Sequence, residues 1–159
     1  MTPPAPTIHY LADRPRHLPR LAAWQHRQWG HLDPGGTLDA RIARLEGQLQ
    51  RTAIPLALVA VDGDEPLGSA SLVEHDLDHR PEWSPWLASV IVAPEHRRRG
   101  IGSALVERAL AEARAQGIAT LYLFTPDQQR LYARLGWRDL AEEAVAGYRV
   151  PVMTVELGG

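Results

Sequence analysis

The segment Val90-Ile91-Val92-Ala93-Pro94-Glu95-His96-Arg97-Arg98-Arg99-Gly100-Ile101-Gly102-Ser103 decides how the chain is to be read. An apolar, β-branched run suited to a buried strand stops before a proline, and two glycines then open an amphipathic stretch. Strand, tight turn and helix N-terminus in that order bring free backbone N–H groups to the positive end of a helix dipole. Gly100 and Gly102 carry no Cβ, so a diphosphate can approach the main chain closely, and Arg97, Arg98 and Arg99 add charge at the mouth. The segment therefore reads as an anion cradle. The glycine pair alone would fit a solvated turn better. Other phosphate fingerprints do not match: the nucleotide P-loop needs a lysine, and the dinucleotide pattern needs glycine where Leu105 stands.

Outward from this segment, hydrophobic periodicity sets the element order. Leu18–Trp29 is a first helix, and Leu38, Ile42, Leu45 and Leu49 recur at helical spacing after Thr37, a predicted N-cap. Ile54–Val61 and Leu67–Val73 are strands joined by the hairpin signal Asp62-Gly63-Asp64. A charged loop, Glu74–Pro85, leads to a central strand at Leu87–Val92. The helix opened by the glycines places Leu105, Val106, Ala109, Leu110 and Ala113 on one face and stops at Gly117. After a strand at Leu121–Phe124, Thr125-Pro126-Asp127-Gln128 reads as N-cap, N1 proline and capping box of a short helix ending near Leu135, with Gly136 as its C′ residue. The stretch beyond Trp137 reads as irregular, and Tyr148–Leu157 as a last strand that Pro151 confines to an edge or a bulge. Residues 1–7 are Pro-rich and are expected to fray. The prediction is an α/β (or α+β) mixed sheet with helices on its faces, as one domain over 1–159.

Composition narrows the function. Apolar residues form 45% and charged residues 23% of 159, the balance of a globular protein able to bury its own core. With no cysteine, disulfides, thiolate metal sites and a cysteine nucleophile are excluded. All 17 basic residues are arginine, so there is no Schiff-base or general-base lysine. A formal charge of -2 argues against nucleic acid as the main partner. No apolar run approaches membrane-spanning length, and MTPPAPTIHY has no charged region leading into an apolar one. The expectation is a cytoplasmic protein without membrane contact.

Two motifs together resemble a known family. Val-x-Pro-x-x-Arg-x-x-Gly-x-Gly after an apolar strand is similar to the cofactor motif of the GNAT N-acetyltransferases, and Leu131-Tyr132-Ala133-Arg134-Leu135-Gly136-Trp137 is similar to that family's late helix. They stand in the family's order, and the element order agrees along nearly the whole chain. The resemblance implies the GNAT-type, mostly antiparallel sheet with helices on both faces, and acetyl-CoA as donor. It further implies that the backbone of Val90, Ile91 and Val92 pairs with the pantetheine arm, and that the Val92 N–H faces the thioester carbonyl. On the same basis the amides of Arg98, Arg99, Gly100, Ile101, Gly102 and Ser103 hold the pyrophosphate, with Arg97 at the motif's Gln/Arg position. Tyr132 falls where many members keep a tyrosine that protonates the leaving sulfur.

Two positions depart from the family pattern. Thr125 stands where an asparagine often holds pantetheine, and a capping role explains a threonine there better. Trp86 stands where some members place a general-base glutamate on the central strand. The base must come from elsewhere, because an alkyl amine is mostly protonated at neutral pH. Glu74 and Asp76 are the candidates, from a run Glu74-His75-Asp76-x-Asp78-His79 whose spacing matches no recognised metal pattern. Trp24, Trp29, Trp83 and Trp86, with His26 and His31, gather near the expected acceptor cleft, though packing or surface roles are the commoner fate of such residues.

The sequence thus predicts direct acetyl transfer to the primary amine of a small molecule or peptide. Acidic residues along the cleft suit a cationic acceptor such as a polyamine, an aminoglycoside or a Lys side chain. A longer acyl group as donor, or a CoA-binding sensor without turnover, stays open. A homodimer paired through an edge strand at Tyr148–Leu157 is a further possibility.

Overall fold

The structure is a computed structural model that describes residues 6–158; the segment 1–5, expected to fray, lies outside the described residues. Seven strands form one sheet in the order β1-β2-β3-β4-β5-β7-β6. These are β1 (Thr7–Tyr10), β2 (Leu56–Asp62), β3 (Glu65–Val73), β4 (Trp86–Val92), β5 (Thr120–Phe124), β6 (Arg138–Val145) and β7 (Tyr148–Glu156). Every neighbouring pair is antiparallel except β4 and β5. The helices are α1 (Leu18–Trp29), α2 (Leu38–Glu46), α3 (Ile101–Ala115) and α4 (Gln129–Arg134).

The continuous apolar run of β2 is explained by cover on both faces. Ala57, Val59 and Val61 pack with Leu18, Leu21, Ala22 and Leu45 of α1 and α2. Leu56, Leu58 and Ala60 pack with Leu105, Val106, Ala109 and Leu110 of α3. Burial of each Leu or Val in that α3 stripe is worth about 2 kcal/mol. Thr37 caps α2 as the sequence predicts, its Oγ1 accepting from the Ala40 N–H at 3.0 Å.

Four expectations need correction. Thr7, placed in the frayed segment, opens β1, whose register sets Thr7 opposite Val61 and Tyr10 opposite Leu58. The stretch after Trp137 is not irregular but forms β6, joined to β7 by a turn with positive φ at Ala146 (51°) and Gly147 (83°), as a tight primed hairpin turn requires. Of the two expectations for Pro151, the edge fails, because β7 pairs with both β5 and β6, whereas a bulge does lie beside it, Asp139 facing Met153 and Ala141 facing Val152. The ring is tolerated because β5 pairing stops at Val152, and Pro151 offers its carbonyl to the departing Thr125 N–H at 3.2 Å. The outer strand beside β7 is β6. Finally, α4 begins at Gln129 rather than just after Thr125. The Thr125 hydroxyl does accept the Gln128 N–H at 2.9 Å, but it closes an isolated turn that carries the chain off the sheet.

The end of α4 follows the sequence closely. Gly136 has φ +97°, its N–H bonds the Ala133 carbonyl at 3.1 Å, and the Trp137 N–H bonds the Tyr132 carbonyl at 3.0 Å. This is a Schellman stop, completed by an edge-on contact of the Tyr132 and Trp137 rings at 6.1 Å.

Candidate active site

The site is made by two strands that begin together and then part. Parallel β4 and β5 pair only at Trp86 and Tyr122. A bulge then bends β4: Ser69 lies opposite Ile91 but Ser71 lies opposite Ala88, and Ser89 takes φ +56°. Gly68 lets β3 follow that bend, because a Cβ there would lie 2.5 Å from the Ile91 carbonyl oxygen. The Ala93 N–H bonds the Leu67 carbonyl at 2.9 Å, which makes Val92 and Gly68 a non-hydrogen-bonded pair. The N–H of Val92 therefore points away from β3, toward the opening between β4 and β5. Past the bulge, Val90 faces the same way, whereas Ile91 turns its backbone to β3 and buries its side chain.

The cradle begins where β4 ends. Arg98 (φ +65°) and Gly100 (φ +77°) are both left-handed, a conformation that costs a non-glycine residue roughly 1 kcal/mol and gathers at functional turns. The first internal bond of α3 runs from the Ala104 N–H to the Gly100 carbonyl at 3.0 Å. The amides of Ile101, Gly102 and Ser103 thus have no partner within the helix. Arg98 and Arg99 are exposed, with Arg99 against His96 Nδ1 at 3.1 Å. Arg97 is tied inward, donating from Nε to the Val92 carbonyl at 3.2 Å and from its guanidinium to Gln28 Oε1 at 3.1 Å. A Cβ on Gly102 would meet only Val92 Cγ2, at an ordinary 3.6 Å, so protein packing does not explain that glycine.

A cleft of about 630 Å³ opens beside the parted strands. Its walls include Ala88, Ser89 and Val90 of β4, Leu123 and Phe124 of β5, Thr125, and Tyr132 of α4. Tyr132 is 6% exposed, and burial, followed by the charge of Asp127, holds its phenol well above the usual tyrosine range. It keeps its proton at any working pH. Thr125 is buried; its amide bonds the Pro151 carbonyl and its hydroxyl oxygen accepts from Gln128 in the turn, which leaves its O–H as a donor toward the cleft it lines.

Glu74 and Asp76, the predicted base candidates, both line this cleft. Glu74 is exposed, whereas Asp76 is half-buried and its carboxyl is pushed from 3.8 up to about 6. Burial is the main cause and Asp78 adds to it, while Arg44 and Arg41 pull the other way. The rest of the run is dispersed: His79 and Arg80 reach Glu143 of β6 at 3.3 and 2.5 Å. Among the described residues, the Glu74–His79 run brings no three ligand atoms together; such a trio forms elsewhere, from Glu65, Glu95 and His96.

Of the tryptophans, Trp29 lines the cleft and the others pack. Trp86 is fully buried and donates its indole N–H to the Trp83 carbonyl at 2.6 Å, Trp83 stacks on Tyr122, and Trp24 lies under Arg20. The position of a possible strand base is therefore core. His31 packs edge-on against Tyr148 at 5.3 Å.

Sequence reasoning missed Arg41, Arg44 and Gln48, all on this cleft. Arg41 is 8% exposed in an otherwise amphipathic helix. Its position, three residues beyond Leu38 and four before Leu45, was the available signal, since it falls on the stripe that faces the core.

Among the described residues, no helix is long and apolar enough to cross a membrane. A model of the acetyltransferase (GNAT) family matches residues 18–137. The mycothiol acetyltransferase of Mycobacteroides abscessus is 42% identical over 79 residues, 50% of this chain and 26% of that protein. That of Nocardia farcinica is 39% identical over 85 residues, 54% of this chain and 26% of the relative. The matched segment thus spans about a quarter of the curated relatives' length. An aminoglycoside 6'-N-acetyltransferase solved with coenzyme A superposes at a TM-score of 0.77 and 17% identity, over 96% of this chain and 98% of that one. The Enterococcus faecium aminoglycoside 6'-N-acetyltransferase gives 0.74 and 17%, over 96% and 98%. These two share the fold. The family model covers well over half of the sequence, and the chain belongs to the GNAT acetyltransferase family.

Proposed function

We propose that the chain is an acetyl-CoA-dependent N-acetyltransferase, one domain over 1–159, acting on the primary amine of a small molecule or peptide in the cytoplasm. The observation that carries this reading is the parting of β4 from β5, which leaves the Val90 and Val92 amides unpaired directly upstream of a left-handed turn and an uncapped helix N-terminus. Those residues fit coenzyme A: an extended backbone edge for the pantetheine amides and converging N–H groups for the pyrophosphate. Bound there, acetyl-CoA supplies an activated acyl carbon, so that an amine attacking it gains a C–N bond while the C–S bond breaks.

The chain's own residues divide the work as follows. The Val92 N–H donates to the oxygen on which negative charge grows. Asp76, with its carboxyl near 6, is ionised at pH 7 and basic enough to take the proton the amine loses. Glu74, exposed on the same wall, supplies a second negative charge for the incoming ammonium. Tyr132 donates a hydrogen bond to the departing sulfur. Because its phenol is a weaker acid than a free thiol of pKa about 8.5, it stabilises the leaving thiolate and does not transfer its proton fully. Arg97 braces the β4 end against α1 through Val92 and Gln28.

The test is thiol release from acetyl-CoA across an amine panel, with calorimetry of CoA on the same sample. Turnover with one acceptor class supports the reading. Tight CoA binding without turnover on any amine favours the sensor, and no CoA binding sinks the cradle argument.

A further inference from the structure

Arg41 is 8% exposed, lines the cleft, and its guanidinium makes no hydrogen bond or salt bridge among the described residues. Its stem is packed while its guanidinium nitrogens stay open to the cleft, where a guanidinium presents five donors that no protein acceptor occupies and whose charge burial disfavours. Arg44, one helical turn along, reaches the same cleft and holds only a 3.9 Å contact to Asp33 Oδ2, too long for a hydrogen bond. Gln48 is 6% exposed on the same wall, and its Oε1 is taken by the Ser71 hydroxyl at 2.7 Å, which leaves its NH2 as a further donor. Two like charges and an amide donor set side by side are unfavourable without a shared anion. The nearby carboxylates do not serve: Asp33 and Asp76 act on Arg41 through the field but do not bond it.

We infer that α2 presents a receptor for an oxyanion, so that the amine acceptor of this cleft also carries a carboxylate or a phosphate. The inference rests on the transferase reading above and names its substrate class. The acceptor then lies across the cleft, its ammonium against the Glu74 and Asp76 wall and its oxyanion in the fork of Arg41 and Arg44, a pairing suited to bidentate contact. A polyamine or aminoglycoside, which the acidic residues alone suggest, would face two guanidiniums at that end.

Matched pairs test this: an α-amino acid series against the corresponding amides, and O-phosphoethanolamine against ethanolamine, with spermidine as the purely cationic case. Thiol release gives kcat/KM, and calorimetry on the CoA-loaded protein gives affinity. At least a 10-fold preference for one anionic member is expected, and which pair shows it separates carboxylate from phosphate. Arg41→Gln should lower kcat/KM for that acceptor by about 10- to 100-fold, chiefly through KM, and shrink the gap within its pair. If that variant does not fold, Arg44→Gln, at a side chain 55% exposed, should reduce the same preference. Amides or spermidine matching the anionic members, or an equal loss on both members of a pair, overturns the receptor. CoA binding with no anion preference does so while leaving the transferase reading standing. Failure to bind CoA removes that reading, and the same titrations on the unloaded protein and Arg41→Gln still decide whether α2 holds an anion.

Discussion

Asp76→Asn should make this protein more stable and less active, and the stability gain should depend on pH. The carboxyl sits at about 6 instead of 3.8, which at about 1.36 kcal/mol per pH unit corresponds to about 3 kcal/mol. The sign follows from which state holds the proton. Between those two values the folded protein keeps a proton that the unfolded chain has lost, so stability falls as pH rises from about 4 to 6 and then levels off. Asn reproduces the neutral carboxyl at every pH. The variant should match the wild type at about pH 3 and exceed it by up to about 3 kcal/mol at pH 7 to 8, or about 6–12 °C in Tm for a chain of this size. Urea unfolding at five pH values measures the difference directly. Acetylation by the variant should fall about 10²-fold or more, and wild-type kcat/KM should rise with pH through about 6. A stability difference independent of pH, or a less stable variant at pH 7, would refute the burial argument and make Asp76 an ion-pair partner of Arg41 and Arg44. Unchanged turnover would remove it as the base.

Three further outcomes are expected. Tyr132→Phe should reduce turnover by about 10²-fold, the low end of acid catalysis because the phenol stabilises the leaving thiolate by a hydrogen bond without giving up its proton, while CoA affinity measured by calorimetry stays within about 2-fold. Gly102→Ala should raise stability by about 0.5 kcal/mol, since a Cβ meets only Val92 Cγ2 at 3.6 Å, yet weaken CoA binding; an unchanged CoA affinity would show that nothing approaches that stretch of backbone closely. Thr37→Ala removes the α2 cap to the Ala40 N–H and should cost about 1 kcal/mol in urea unfolding, with acceptor KM rising more than the KM for acetyl-CoA because α2 carries Arg41 and Arg44.

The parts of the fold that were legible are those whose local chemistry and burial agree. Thr37, Gly117 and Gly136 mark helix ends, and α3 shows a clean apolar stripe, so propensity and packing favour the same boundaries. The illegible parts take their conformation from a neighbour. β1 is four residues between prolines and a 3-10 turn, and it is a strand because β2 offers it a partner. β6 reads Arg-Asp-Leu-Ala-Glu-Glu-Ala-Val, with three acidic residues that suit an outer strand and suppress its β signal. Pro151 misled because a strand can be internal to the sheet while one of its residues has no neighbour on one side.

The two ends of the candidate site differ in legibility for a related reason. The proposed donor end is built from consecutive residues, Val90 to Ser103, because a phosphate cradle at a helix N-terminus needs a strand, a turn and a first helical turn in unbroken sequence. Such a requirement leaves a contiguous motif. At the proposed acceptor end, the cleft residues Arg41 and Gln48 come from α2 and the chain after it, Asp76 from the loop after β3, Phe124 from β5 and Val145 from β6. Nothing in the sequence links them until the sheet is assembled. Asp76 was within reach because the sheet order places the exit of β3 beside β4. Arg41 was not, because a charge on the buried face of a helix reads as an error of pattern until the cavity in front of it is known. That mismatch is itself informative: a guanidinium kept at a core position, facing a cleft with no acceptor bonded to it, is best explained by an acceptor that arrives with the substrate.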